Sequence, residues 1–219
     1  MKNFFSMDNP FIQFLARVGD LMCANALFLI CSIPIFTMGA ASAALHKVTQ
    51  DIACDEEKGI LKTFFRAFRD NFKQATLSWL VVLMFFTGMG CNFLLVITYC
   101  TGTLALVLKC LLGVVVVIMM LAVTAYLFPL IVRYDNTLKE HTINAGVLAI
   151  VKLPRTIGLG LLNVLPVLIL LVSVQSFFET MVFWLTVGFG FTSYMGSILL
   201  VPVFKEMEAP GGPNIQIMK

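Results

Sequence analysis

Charge is what this sequence has least of. Asp, Glu, Lys and Arg make up 12% of its 219 residues, where a soluble globular domain carries about 25%. So few ionised groups cannot cover an ordinary water-exposed surface. Paired cysteines are also missing. Cys23, Cys31, Cys54, Cys91, Cys100 and Cys110 include no CxxC pair, and most sit in or beside apolar runs, where cysteine acts as a small hydrophobe. Neither a disulfide framework nor a zinc site is suggested. There is no GxSxG, HExxH or P-loop pattern and there are only two histidines, His46 and His141. No enzyme, cofactor or metal is therefore expected. The two histidines could meet in space near a carboxylate, but a structural or solvated role is the expectation. The net charge of +3 is too small to suggest nucleic acid as a partner.

What is present is hydrocarbon. Hydrophobic residues make up 59% of the chain, and the mean hydropathy is +0.95. A helix crosses a bilayer core with about 20 apolar residues. The sequence predicts an all-α, polytopic transmembrane bundle of about five spans, near 21–45, 75–97, 110–132, 156–178 and 180–204. A single integral membrane domain covers 1–208, followed by a flexible tail at 209–219 whose Pro210-Gly211-Gly212-Pro213 stops any helix. The second apolar run is long enough for a span and a turn, the turn falling at Cys100-Thr101-Gly102-Thr103. No charged residue lies deep within a predicted span, which disfavours proton-coupled transport.

Orientation follows from Lys and Arg in the connecting segments. With five spans, twelve cations share one side: Lys47, Lys58, Lys62, Arg66, Arg69 and Lys73, then Arg133, Lys139, Lys152 and Arg155, then Lys205 and Lys219. Only Lys2, Arg17 and Lys109 fall on the other. The N-terminus is thus expected outside and the C-terminus in the cytoplasm. A cleaved signal peptide competes as a reading of the first span, since Ala41-Ser42-Ala43 resembles a cleavage site. The apolar run is longer than a signal h-region of about 7–15 residues.

The segment before the first span reads as a short helix, capped by Asn9 and opened by Pro10. It lies on the outer interface or runs straight into the span, and Arg17 can pair with Asp20. Within span one, Pro34 precedes a row of small residues. That predicts either a kinked packing helix or a broken helix lining a cavity. Asn25, Asn92, Asn163 and Gln175 are polar positions inside the spans, and Pro166 bends span four beside Asn163. These residues either hydrogen-bond between helices or form a polar site. Gly188, Gly190 and Gly196 favour close helix packing, in the bundle or in a homo-oligomer.

The best-defined pattern lies between spans one and two. Ile60, Leu61, Phe64, Phe65, Phe68 and Phe72 fall on one side of a helix, and Lys62, Arg66, Arg69 and Lys73 on the other, at about 100° per residue. Such a basic amphipathic helix lies in the membrane interface on anionic lipid, packs on its own bundle, or docks on a partner. A weaker version follows span three, where Thr137 and Glu140 fit a capping box and Ile143, Val147, Ile150 and Val151 recur at helical spacing. An amphipathic helix followed by a hairpin would then occur twice, a degenerate internal repeat.

Four segments, taken together, carry a resemblance: Asp20-Leu-Met-Cys-Ala-Asn25, Ser32-Ile-Pro-Ile-Phe-Thr-Met-Gly-Ala40, Thr63-Phe-Phe-Arg-Ala-Phe-Arg-Asp-Asn-Phe-Lys-Gln-Ala75 and Phe128-Pro-Leu-Ile-Val-Arg-Tyr-Asp135. Their order resembles the YesL-like family of bacterial membrane proteins, a family of unknown function. The resemblance implies a multi-pass protein of the bacterial plasma membrane. Family members tend to be encoded beside carbohydrate ABC importers, which implies an accessory role in oligosaccharide uptake with an importer permease as partner. It assigns no binding residue. The alternative function is a small solute transporter or channel in its own right.

Overall fold

The computed structural model describes residues 10–56, 59–99 and 102–209. Among them the chain is helical throughout, with no strand. Helices α1 (Pro10–Cys31), α2 (Met38–Ala53) and α3 (Ile60–Asp70) lead into the long α4 (Phe72–Tyr99) and α5 (Thr103–Ile131). Then come α6 (Leu138–Val151), α7 (Leu153–Val172), α8 (Val174–Phe183) and α9 (Phe189–Glu208), the last two joined by a π-helical turn at Trp184–Gly188. Four stretches are long and apolar enough to cross a membrane: Phe11–Cys31, Phe72–Val96, Lys109–Ile131 and Val174–Glu208. The pair Leu138–Val151 and Leu153–Leu165, bent by 109°, would make a fifth.

The bundle buries several polar side chains among its apolar core and exposes many large apolar ones. Asn25, Thr49, His141 and Ser197 have no exposed surface, whereas Val172 is 84% and Ile33 77% exposed. Water would drive the opposite arrangement. With hydrocarbon as solvent, apolar side chains gain little by turning inward and polar ones gain partners. Two clusters form the interior. One joins Ala40, Ala75, Tyr126, Leu130, Leu148 and Phe204. The other joins Ala24, Leu45, Val48 and Phe64.

The expected first span is not one crossing helix but two helices. Proline cannot donate a backbone hydrogen bond, and Pro34 is extended (φ −76°, ψ 116°). The chain bends at Ser32–Ile33 and makes one 3₁₀ turn at Ile35–Thr37. The Thr37 hydroxyl lies 2.6 Å from the Cys31 carbonyl and 2.7 Å from that of Pro34, supplying an end-of-helix acceptor with a donor. Beyond the bend, α2 returns alongside α1, with Ala24, Leu27 and Phe28 in the same cluster as Ala44, Leu45 and Val48. The open ends meet where Arg17 binds Asp55 at 2.5 Å, in place of the expected Arg17–Asp20 pair. Asp55 ends α2 at a left-handed φ of 56°, with its N–H on the Ile52 carbonyl. Arg17 thus lies beside the end of α2, in the 47–73 segment from which the expected orientation separated it. The expectation that the N-terminal helix runs straight into the apolar stretch holds, although Asn9 lies outside the described residues.

Other boundaries shift for local reasons. Helix α4 ends at Tyr99 and α5 begins at Thr103, on either side of the expected turn, of which Cys100 and Thr101 lie outside the described residues. Helix α5 starts at Thr103, so Lys109 sits within it; charge marked the expected boundary, but no helix breaker stands there. The break between the last two spans falls at Ser173, before Gln175, and not at Glu179. Ser173 is extended (φ −161°, ψ 126°), and its hydroxyl oxygen accepts the Ser176 N–H as the cap of α8. Helix α6 has the expected capping box: Thr137 N–H donates to Glu140 Oε2 at 2.8 Å, and Glu140 N–H donates to Thr137 Oγ1 at 3.4 Å. The apolar row read from sequence is its outer face, however. Ile143, Val147, Ile150 and Val151 point outward while His141, Asn144 and Leu148 are buried. Periodicity defines a face but not which solvent it meets.

The tip of the hairpin is fixed on α4. The Trp79 indole N–H donates to the Ile35 carbonyl at 2.8 Å, and a Cβ on Gly39 would come within 2.4 Å of the Ala75 carbonyl oxygen and the Trp79 Cβ. Gly39→Val is expected to destabilise the detergent-solubilised protein by about 1–3 kcal/mol in thermal unfolding. Gly88→Val, where a side chain meets open space, should stay within about 0.5 kcal/mol of the parent.

Candidate functional site

Helix α3 has three faces. Phe64, with no exposed surface, and Ala67, at 7%, pack inward against α1 and α2. Lys62, Arg66, Arg69 and, at the start of α4, Lys73 are exposed. Between these faces runs an exposed apolar row of Leu61 (56%), Phe65 (51%) and Phe72 (37%). Phe68 bridges the row and the core, its ring 6.4 Å from Phe64 and 5.5 Å from Phe72. The phenylalanine stripe read from sequence is thus divided. Phe64 is a core residue, so the free apolar surface is narrower than the periodicity implied.

Arg66 borders a polar groove of about 370 Å³ between α2, α3 and the end of α5. Lys47, Asp51, Asp70, Asn71, Arg133 and Asp135 share its lining. Lys47 holds the buried Asp51 at 2.9 Å. On the far side Arg133 grips Glu208 with two bonds, at 2.9 and 3.1 Å, while its guanidinium lies 5.0 Å from the centre of the Phe204 ring. Tyr134 also donates to Glu208, at 3.0 Å. Burial and that carboxylate push the Tyr134 phenol up to about 12. Glu206 meets Lys152 at 2.5 Å and Arg155 at 3.6 Å. The end of α9 is thereby clamped to the α5–α6 corner and the start of α7.

Asn25 is the polar span position with the fullest set of bonds. Its amide Nδ2 donates to the Trp184 carbonyl at 3.2 Å and the Leu185 carbonyl at 2.9 Å. Its Oδ1 accepts the Gly190 N–H at 3.0 Å. A π-helical turn disturbs the local hydrogen-bond ladder, and one asparagine from α1 serves the groups on both sides of it. Gly190 permits the approach, since a Cβ there would lie 2.7 Å from the Leu21 carbonyl oxygen. Gly188 and Gly196 are likewise filled by this chain's own Trp184 and Leu159. These glycines serve the internal bundle.

A second polar seam was not legible in the sequence. Thr49 of α2 lies between Ser193 and Ser197 of α9, 2.9 and 3.0 Å from their hydroxyls, and Ser193 lies 3.0 Å from His46 Nδ1. Gln50 donates to the Pro129 carbonyl at 3.2 Å, near the end of α5. The only signal was the four-residue spacing of Ser193 and Ser197, which places both on one helix face. His141 is buried in α6, so the two histidines occupy different neighbourhoods.

The remaining polar positions are not brought together. Asn92 is exposed on α4. Asn163 is exposed on α7 and donates only to its own helix, at the Leu159 carbonyl, 2.9 Å. Pro166 lies within α7, which continues through it. Gln175 bonds Glu179 at 3.2 Å on an exposed face of α8. Among the described residues no group of three or more His, Cys, Asp or Glu is placed to hold a metal ion.

The long apolar helices and the large apolar side chains they expose define the class, an α-helical integral membrane protein. Residues 21–93 match the model of a family described as a protein of unknown function, DUF624. The match runs from α1 through most of α4 and contains the Ser32–Ala40 and Thr63–Ala75 segments that carry the YesL-like resemblance, with which it agrees. No curated protein and no solved structure matches the chain.

Asn25→Leu removes the partner of three backbone groups at a buried site. A loss of about 1–3 kcal/mol is expected, read as a lower unfolding temperature in detergent. Asn163→Leu breaks only a bond within its own helix and should be close to neutral.

Proposed function

We propose that this protein is a non-catalytic membrane component that works by holding another membrane protein, and that α3 is the element it presents. The observation that carries the reading is the exposed row of Leu61, Phe65 and Phe72 beside four exposed cations, on a helix already anchored by Phe64. An apolar row rimmed by charge, on a fixed helix, suits a groove on a partner and contact with anionic lipid at its edge. The YesL-like resemblance supplies the partner class: the permease of a carbohydrate ABC importer in a bacterial plasma membrane, with the protein as its accessory or regulatory subunit.

Transport by this bundle alone has less support. The amide of Asn25 is committed to backbone groups. Asn92 and Asn163 are exposed on separate helices and do not line the polar groove. Flux of oligosaccharides into liposomes containing only this protein would reverse that preference.

The test is co-purification with the importer permease. Leu61→Asp combined with Phe65→Asp changes two exposed positions, so the variant should fold and lose at least about tenfold of the recovered permease. A folded double variant that still recovers the permease would remove α3 from the interface. Phe64→Ala serves as the contrast, since truncating a buried phenylalanine should cost about 3–5 kcal/mol of stability.

A further inference from the structure

The Arg17–Asp55 contact has a consequence for the whole chain, independent of any partner. We infer that α1 and α2 form a hairpin that leaves the membrane on the face it entered, so the start of α1, α3 and the end of α9 share one side. Arg17 and Asp55 are both well exposed, at 45% and 73% of their side-chain surface, and so mark one water-facing level. Between them the chain goes out along α1 and back along α2. The tip residues Ile33, Ile35 and Phe36 are 77, 64 and 53% exposed, suited to hydrocarbon and not to water.

The tip does not travel as far as the helices beside it. It meets α4 at Ala75 and Trp79, while α4 continues to Tyr99, roughly 30 Å further at about 1.5 Å per residue. That remaining stretch alone accounts for most of a bilayer core, so the tip stops in the near leaflet. With α1 doubling back along α2, the complete crossings are α4, α5, the bent α6–α7 pair counted as one span, and the continuous α8–α9 helix, an even number that returns the chain to its starting side.

Charge supports the same arrangement without any coordinate. Moving Arg17 to the side of the twelve cations leaves Lys109, in the outer part of α5, as the one described Lys or Arg on the opposite face. A bias of twelve against three becomes sharper, as the positive-inside tendency requires of the cytoplasmic side. The single crossing expected over 21–45 would instead strand Arg17 outside.

Two epitope tags in intact cells test the inference, one ahead of residue 10 and one inserted at Gly102. The tag ahead of α1 should resist an externally added protease until the cells are permeabilised, while the tag at Gly102 is cut at once. Cleavage of both from outside would overturn the hairpin. A measurement without tags addresses the same contact. Arg17→Cys with Asp55→Cys, in a Cys54→Ser background, is treated in native membranes with a bifunctional thiol crosslinker of about 10 Å reach, which replaces the length of the arginine side chain, and mapped by peptide mass spectrometry. A crosslinked 17–55 peptide is the expected product, and recovery of both peptides only as separate adducts would overturn the contact.

Discussion

Lipid offers no hydrogen bonds, and this constraint organises the molecule. Each polar group within the apolar stretches needs a partner from the chain itself, because leaving one bare in hydrocarbon costs several kcal/mol. Several polar residues accordingly face inward and join helices: Asn25 ties α1 to the π-helical turn before α9, Thr49 ties α2 to Ser193 and Ser197, and Gln50 ties α2 to the end of α5. These bonds supply specificity where burial of apolar surface cannot, since the same surface is equally satisfied by lipid. Close backbone approach does the remaining work, at Gly39 against α4 and Gly190 against α1.

Helix α2 is the hub of this arrangement. It is short, rich in alanine and among the most buried of the helices, and it touches α1, α3, α4, α5 and α9. Its small residues let five neighbours converge, and its few polar residues choose their registers. Helix α3 hangs on this hub through Phe64 and Ala67. The element read as a docking surface is therefore rigidly coupled to the core, and its exposed row and basic face are presented in a fixed orientation. The ionic clamp from Arg133, Lys152 and Arg155 to Glu206 and Glu208 closes the α5–α9 side of the same end.

Where sequence reading misplaced helix ends, it did so for one reason. Charge and hydropathy were used to place helix ends, but caps and breakers placed them. Ser173 ended α7 six residues before Glu179, and α5 began well ahead of Lys109. Pro34 and the residues around it looked like a kink, yet they reverse the chain, because Thr37 satisfies the carbonyl acceptors at the bend and Gly39 lets α2 lie against α4. The candidate helix α3 was found at the right residues with its cations correctly exposed. What periodicity could not show was which of its phenylalanines the bundle would take.

The sequence by itself determined that this is an all-helical membrane protein, because the scarcity of charge and the length of the apolar runs leave no other solvent for the chain. It also determined the break between α4 and α5, the capping box of α6 and the basic row of α3, each of which depends on residues close in sequence. Only the tertiary structure decided that α1 and α2 fold back on each other, that Asn25 serves the π-helical turn, and that α6 buries His141 and Asn144 while its Ile143–Val151 row faces outward. Those outcomes rest on pairs such as Arg17 with Asp55 and Thr49 with Ser197, far apart along the chain, whose attraction is felt only once the helices between them have packed.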